Sequence, residues 1–442
     1  MKTAALFLAA SAFCASAMAQ DQPNPPAQPD DGTVYGGMKT RWAKDVSQEL
    51  PLPEYPRPQL RRDAEWVNLN GQWDYAIAPK EAGVPEKWDG KILVPFPVES
   101  QLSGVQRFVG GANRLWYRRT FEAEEPDAGG RLRLHFGAVD WDAEIWLNGR
   151  LVATHQGGYD PFTVDITESV APSHEQELVV AVYDPSDADS QPRGKQVANP
   201  HGIWYTPVTG IWQTVWLEPV PAVSIDSLKL TSDIDKGELL VEAHLLGAGE
   251  GLHVEAEASL AGKAAGKGGA KAEGSFDGVA RFAIKIDDPQ LWSPDSPTLY
   301  DLKVTVARDL VFDTVESYFG MRKIAMGKDE FGFNRMMLNN QPVFHLTAGP
   351  RLVPDGLYTA PTDEGASFDI EKTKELGFNM ARKHVAVELA ALVLLGGQAR
   401  LALVWQDMPN GGRATAHREG RAGRRAAHAG RAPALATANS RR

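Results

Sequence analysis

The sequence predicts a mainly β protein: two successive β-sandwiches followed by the opening of an α/β unit. Three observations carry this. Between residues 61 and 221, short runs alternate apolar with polar residues and no helical period of any length intervenes. Between 222 and 320 a second set of short alternating runs follows, in number and spacing suited to an immunoglobulin-like sandwich of about 100 residues. From about Phe331 the grammar changes to strand, helix and strand, with a glycine closing the helix.

The chain opens with a basic Lys2, an apolar stretch from Ala4 to about Ala15 and the small-x-small site Ala17-Met18-Ala19. That pattern is an export signal over residues 1–19, too short for the ~20 apolar residues a membrane span needs. The expectation is a periplasmic or extracellular protein with no membrane span. The single cysteine, Cys14, lies inside the signal, so the exported product holds no disulfide and no thiol-ligated metal. Residues 20–60, rich in Pro and Asp, read as an extended arm.

The clearest part of the first sandwich is "RLRLHFGAVDWDAEIWLNGRLVATHQGGYDPFTVDIT". Leu132, Leu134 and Phe136 alternate, Ile145 and Leu147 alternate, and Asn148-Gly149 supplies the two positive-φ positions of a type I′ hairpin turn before the return strand. A jelly-roll arrangement fits this meander. Of Trp116, Trp141, Trp146, Trp204, Trp212 and Trp216, most alternate with charged residues and read as sandwich core, although an aromatic face also suits the C–H face of a pyranose. In the second sandwich the strands are "LLVEAHLL", "LHVEAEASL", "ARFAIKI" and "LYDLKVTVA"; "AGKAAGKGGAKAEG" between two of them reads as a flexible loop tip. The third region, 321–411, holds the strand "PVFHLTAG", a helix near Asp369 to Leu376 ended by Gly377, and the strand "FNMARKHV".

Net charge is −11, and the eight Arg and one Glu from Gly412 onward leave the rest of the chain more acidic still. An acidic body argues against nucleic acid or anionic membrane as partner.

The order of these segments and several motifs within them resemble glycoside hydrolase family two, the β-galactosidase, β-glucuronidase and β-mannosidase group. The motifs are "NRLWYRRTF", "AEIWLNGRLVATHQGGYDPFTVDIT", "NPHGIWYTPVTGIWQTVWLEPV", "LWSPDSPTLYDLKV", "FGMRKIA", "LNNQPVFHL" and "GFNMARKHV". The resemblance implies a sugar-binding jelly roll, an immunoglobulin-like spacer and the first part of a (β/α)8 barrel, with a terminal β-glycoside as substrate; no cofactor is expected, and the hydrolysis is metal-independent or weakly metal-assisted. It implies that Arg382 holds a catalytic carboxylate and makes His384 and Asp407 candidate sugar ligands, His384 at a spacing of two from Arg382 where the family more often has three. His155 and Tyr159 lie in a loop the family aims at the barrel mouth, and their expected role is to pack that loop.

Retaining hydrolysis needs two carboxyl groups ~5 Å apart, and the family's acid/base stands in an Asn-Glu pair. This sequence contains no Asn-Glu dipeptide, and a full barrel takes ~250 residues, so no residue here is assigned a catalytic role. "LVLLGGQAR", Leu392 to Arg400, reads as neither helix nor strand. With suitable codons, dropping one base turns it into Trp-Tyr-Tyr-Trp-Ala-Asp-Lys-Leu, an aromatic helix of the kind the family places here. The tail 412–442 likewise resembles GC-rich codons out of phase or a disordered segment. The expectation is a family-two hydrolase whose catalytic half is lost from this reading; the alternative is a non-catalytic carbohydrate-binding or interaction module of two sandwiches. Oligomeric state stays open.

Overall fold

Strand alternation and one tight turn organise the first sandwich in the computed structural model, which describes residues 39–405 apart from 63–65, 125, 127–128, 248, 275–277, 350–355, 358, 384–386, 388–389 and 399–401. One sheet has six strands in the order Gly90–Val94, Gly71–Pro79, Asn113–Glu122, Glu175–Tyr183, Asp142–Leu147, Arg150–Gln156. The other has four: Val67–Asn68, Val215–Val220, Arg131–Phe136, Phe162–Asp165. Leu134, Phe136, Ile145 and Leu147 are completely buried between them. Asn148 and Gly149 turn the hairpin at φ 51° and 78°, the left-handed pair that a two-residue turn with the sheet's own twist requires. Trp116, Trp212 and Trp216 are buried and Trp146 packs beside Trp116; Trp141 and Trp204 are half-buried.

The second sandwich faces three strands, Ser224–Asp233, Glu238–Leu246 and Val279–Lys285, against four, Lys263–Lys271, His253–Leu260, Tyr300–Ala307 and Val311–Phe319. Its core is small, with Ala243, Ala256 and Ala258 among Leu239, Val241, Val254 and Val304. The low-complexity run expected to be a loop tip is instead the edge strand Lys263–Lys271, paired in register with His253–Leu260. Its glycines explain this: a Cβ on Gly266 would lie 2.3 Å from the Lys285 carbonyl oxygen, and one on Gly268 2.7 Å from that of Ala283. Side-chain-free residues let this strand press against the facing sheet, so a composition that reads as linker is a packing solution.

The arm is not merely extended; it locks the two sandwiches together. Tyr55 donates its hydroxyl to Glu218 Oε1 at 2.7 Å, and Arg57 Nη2 donates to Glu218 Oε2 at 2.7 Å. Arg62, 5% exposed, donates Nε and Nη2 to the Asp313 carboxylate at 3.0–3.2 Å and also bonds the Ile225 carbonyl. Its Nη1 lies 3.2 Å from Glu218 Oε2. Glu218 sits on the first sandwich, Asp313 and Ile225 on the second, so one guanidinium ties both. His135 completes the group, stacked on Trp216 with Nε2 3.3 Å from Glu218 and Nδ1 2.8 Å from the Thr163 hydroxyl. Burial lowers the His135 pKa to about 4, so the ring is neutral at pH 7. Burial would raise the Glu218 carboxyl, but His135, Arg57 and Arg62 outweigh it and hold it well below the usual carboxylate range.

Beyond the second sandwich lie a three-stranded hairpin sheet, Ile324–Lys328, Asn334–Leu338 and Gln341–Pro342, and then a parallel sheet of Thr347–Ala348, Met380–Lys383 and Ala402–Trp405. Two helices, α1 (Asp363–Glu375) and α2 (Ala390–Gln398), make the crossovers that parallel pairing demands. Helix α1 starts six residues before its expected first turn because Thr362 caps it, accepting from the Gly365 N–H, with Asp363 and Glu364 at the positive end of the dipole. Gly377 follows at φ 85°, the left-handed stop the sequence announced. Of the run expected to be neither helix nor strand, residues 392–398 lie in α2, and 399 and 400 fall outside the described residues. Leucine propensity and packing on the second sandwich override its glycine pair: Trp292 Nε1 donates to the Gly397 carbonyl at 2.8 Å, and a Cβ on Gly397 would be 3.6 Å from Leu299.

Replacing Arg62 by Met should cost about 3–5 kcal/mol, because it leaves Asp313 buried without its cation; urea unfolding should show a lower midpoint and separate transitions for the two sandwiches. Acid should loosen the same junction. His135 has a depressed folded pKa, so its stabilising neutrality is lost as pH falls from about 6.5 towards about 4; a His135→Gln variant should unfold less steeply over that interval when followed by tryptophan fluorescence.

Candidate functional site

Loops at one end of the first sandwich meet the loop that follows the first parallel strand. In parallel α/β sheets that side, the carboxyl ends of the strands, is where ligands are handled. Arg382 lies on the middle parallel strand, paired with Val404 across the sheet, and its side chain is exposed. His384 and Asp407 fall outside the described residues, so only Arg382 of the three expected substrate ligands is placed. The loop after Thr347–Ala348 returns through Leu357 and Ala360 to α1. Leu357 and Tyr159 both pack against the buried cluster of Ala138, Val208 and Trp212, and Ala360 packs with Leu93 and Phe96.

The "HQGGYDPF" loop is built by its own side chains. His155 stacks on Phe162 with ring centroids 4.0 Å apart and reaches the Gly157 carbonyl through Nε2 at 3.1 Å. Burial lowers its pKa. Tyr159 stands edge-on to Trp212, whose Nε1 donates to the Gly158 carbonyl at 2.7 Å. Both residues therefore pack the loop that reaches the barrel segment.

Beneath this contact lies a group the motifs did not single out: Glu99, Asp140 and Asp184, 2%, 3% and 2% exposed. Each comes from a different chain segment. Gln196 Nε2 bridges Asp140 Oδ2, at 3.0 Å, and the Tyr159 hydroxyl, at 3.2 Å. Thr209 links the other two, its N–H donating to Glu99 Oε2 at 3.0 Å and its hydroxyl to Asp184 Oδ2 at 3.1 Å. A Cβ on Gly158 would fall 2.4 Å from Asp140 Oδ1, so only glycine lets the loop lie on the carboxyl. Burial pushes all three carboxyls up, Glu99 to about 8, and their mutual repulsion adds to the effect. The one sequence signal was position: Asp140 interrupts the apolar run "FGAVDW" where side chains point inward.

Among the described residues no group of three or more His, Cys, Asp and Glu side chains is disposed to hold a metal ion. No helix among them is long and apolar enough to cross a membrane.

The family model for the sugar binding domain of glycosyl hydrolases family 2 matches residues 94–221, and the model for glycosyl hydrolases family 2 matches residues 223–322. A β-glucuronidase of Paenibacillus borealis is 25% identical over 269 residues, 57% of this chain and 43% of that protein. A β-galactosidase of Thermoanaerobacter pseudethanolicus is 26% identical over 246 residues, 52% of this chain and 30% of that protein. The β-glucuronidase of Felis catus is 25% identical over 335 residues, 66% and 48%. This chain thus spans half the length or less of these curated relatives. The solved Ruminococcus gnavus β-glucuronidase superposes with a TM-score of 0.63 at 17% identity, covering 80% of this chain and 60% of that chain, a likeness of fold. With its two sandwich regions matched by the family's own models, over half of its length in all, the chain belongs to the glycosyl hydrolases family 2.

Proposed function

We propose that this chain supplies the sugar-facing sandwich, the spacer and the first barrel strands of an exported, retaining exo-β-glycosidase that hydrolyses terminal β-glycosidic bonds. The observation that carries the reading is the convergence of the Gly158–Tyr159 loop and Leu357 on the Trp212 cluster, Leu357 lying in the loop that follows the first parallel strand, on the sheet whose middle strand bears Arg382. A planar guanidinium suits the part given to Arg382, since it can hold a carboxylate by two bonds and keep it ionised. The β-glucuronidases and β-galactosidases among the relatives support a β-linked sugar as substrate.

By itself this chain turns over no glycoside. Retention needs a nucleophile and an acid/base carboxyl ~5 Å apart at the barrel mouth, and the sequence offers no Asn-Glu pair to furnish the acid/base. The three buried carboxyls are no substitute, being sealed from solvent. Phe331, Phe333 and Phe344, 75%, 63% and 80% accessible, leave apolar surface on this segment. A second reading, a non-catalytic carbohydrate-binding module, draws on the closed pair of sandwiches locked by Arg62.

Purified protein should release no nitrophenol from nitrophenyl β-galactoside, β-glucuronide or β-mannoside; turnover would refute the inactivity. A version of the gene read in the frame that restores an Asn-Glu pair should hydrolyse one of them with retention, followed by NMR of the anomeric product, and Arg382→Lys in that protein should lower kcat/KM by about 100-fold, a loss of the size seen when one preorganised transition-state contact is removed. A folded, frame-restored protein inactive on every β-glycoside would favour the module. Mass spectrometry of the exported product should find Gln20 at its N-terminus.

A further inference from the structure

Glu99, Asp140 and Asp184 present a problem of charge. Three carboxyls share one buried site, and no Lys, Arg or His of the described residues is among the groups that act on them most strongly. The charged or titratable groups that do act are the three themselves, Asp187 on the Asp184 loop, and the buried Tyr117 hydroxyl, which donates nothing to them and bonds the Ile211 N–H as acceptor. The other neighbours, Ser186, Gln191, Gln196 and Thr209, are uncharged. On the facing barrel segment, the described residues Gly356, Leu357, Thr359, Ala360, Pro361 and Thr362 bring no charge.

Several oxygens in this pocket are left with no donor: Glu99 Oε1, the Ser186 hydroxyl and Gln191 Oε1, all in residues at least nine-tenths buried. A buried carboxylate lacking donor and cation is costly, whereas the same group carrying a proton is neutral and becomes a donor itself. The donor set is not spaced for a metal ion either, as stated above. Protons answer both the charge and the missing donors.

We propose that Glu99, Asp140 and Asp184 form a proton-holding latch, which fastens the loop end of the first sandwich to the 356–362 segment while its carboxyls are protonated and releases it as they ionise. The geometry makes the latch effective. Asp140 holds Gln196, whose Oε1 accepts from the Val208 N–H; Glu99 and Asp184 hold Thr209, next to Val208; and Val208 belongs to the cluster against which Leu357 packs. Ionising two carboxyls here places like charges together in a dry site, and the segments that can separate to admit water are the loops bearing them. This inference does not rest on the glycosidase reading, since it concerns how the sandwich grips the barrel segment whatever chemistry follows.

The direction follows from the raised carboxyl pKa values. Glu99 stays protonated in the folded chain up to about 8, but in the unfolded chain it ionises near 4.5, so its contribution is complete below the lower value and is lost as pH rises through the upper one. This is opposite in sign to the acid sensitivity at His135.

The test uses the full chain. Infrared difference spectra near neutral pH should show a protonated-carboxyl C=O band that disappears on raising the pH and is weaker in Glu99→Gln. Unfolding temperature should fall between about pH 6 and about pH 9, with proteolytic cleavage appearing in residues 186–206 as it does so. Glu99→Gln, which cannot ionise at that position, should flatten that slope, and Asp184→Asn should flatten it by removing the charge that helps to raise the Glu99 carboxyl. If either variant fails to fold, the infrared band of the parent protein decides the matter. Absence of the band at neutral pH, or an alkaline slope in a folded variant equal to the parent's, overturns the proposal.

Discussion

The junction between the two sandwiches centres on one buried guanidinium, with the Arg133–Asp226 pair as a further tie. Arg62 enters between the sandwiches with Asp313 of the second on one side and Glu218 of the first on the other, just after the arm whose Tyr55 and Arg57 share Glu218. Removing charge from water at such a site is expensive unless each partner is matched and hydrogen-bonded. Here Asp313 accepts from Arg62 and from the Ile225 N–H, while Glu218 accepts from Tyr55 and Arg57. The directional bonds do what apolar packing alone cannot: they set one angle between two sandwiches whose cores are otherwise separate. Everything beyond, including the place where the barrel segment meets the first sandwich, inherits that angle.

A second polar cluster solves the burial problem in the opposite way. At Glu218 negative charge is kept and surrounded by donors; at Glu99, Asp140 and Asp184 donors are too few and cations absent from the groups that act on them, so neutralisation falls to protons. The two lie in one domain, one facing the spacer and the other facing the parallel strands. Their opposite pH responses mean that the two contacts of the first sandwich loosen at opposite ends of the pH scale.

The parts of the fold that were legible in the sequence were those dictated by local rules. Asn148-Gly149 could be assigned because only such a pair takes two positive φ values cheaply, and Gly377 because a helix ends readily there. The misread segments were those where a neighbour distant in sequence decides. Lys263–Lys271 looks like a linker until the carbonyls of Ala283 and Lys285 are seen pressing on its glycines, and α2 looks structureless until Trp292 and Leu299 are seen beside Gly397. At the candidate site, Arg382 was found from the strand motif it stands in. The three buried carboxyls were not, since Glu99, Asp140 and Asp184 are scattered across the first sandwich and nothing in their immediate surroundings marks them as neighbours.

The sequence by itself determined the alternation that makes two sandwiches, the turns that reverse their strands, the strand–helix–strand order of the barrel segment and the motifs that mark the family. Each follows from interactions within a few residues, where period and turn chemistry suffice. Tertiary structure alone decided which groups share a buried site: that Arg62 spans to Asp313 and Glu218, that the Trp212 cluster receives both Tyr159 and Leu357, and that three carboxyls are sealed nearby. The physical reason is that the cost of a buried charge is set by everything around it in space, and that surrounding exists only once the chain has folded.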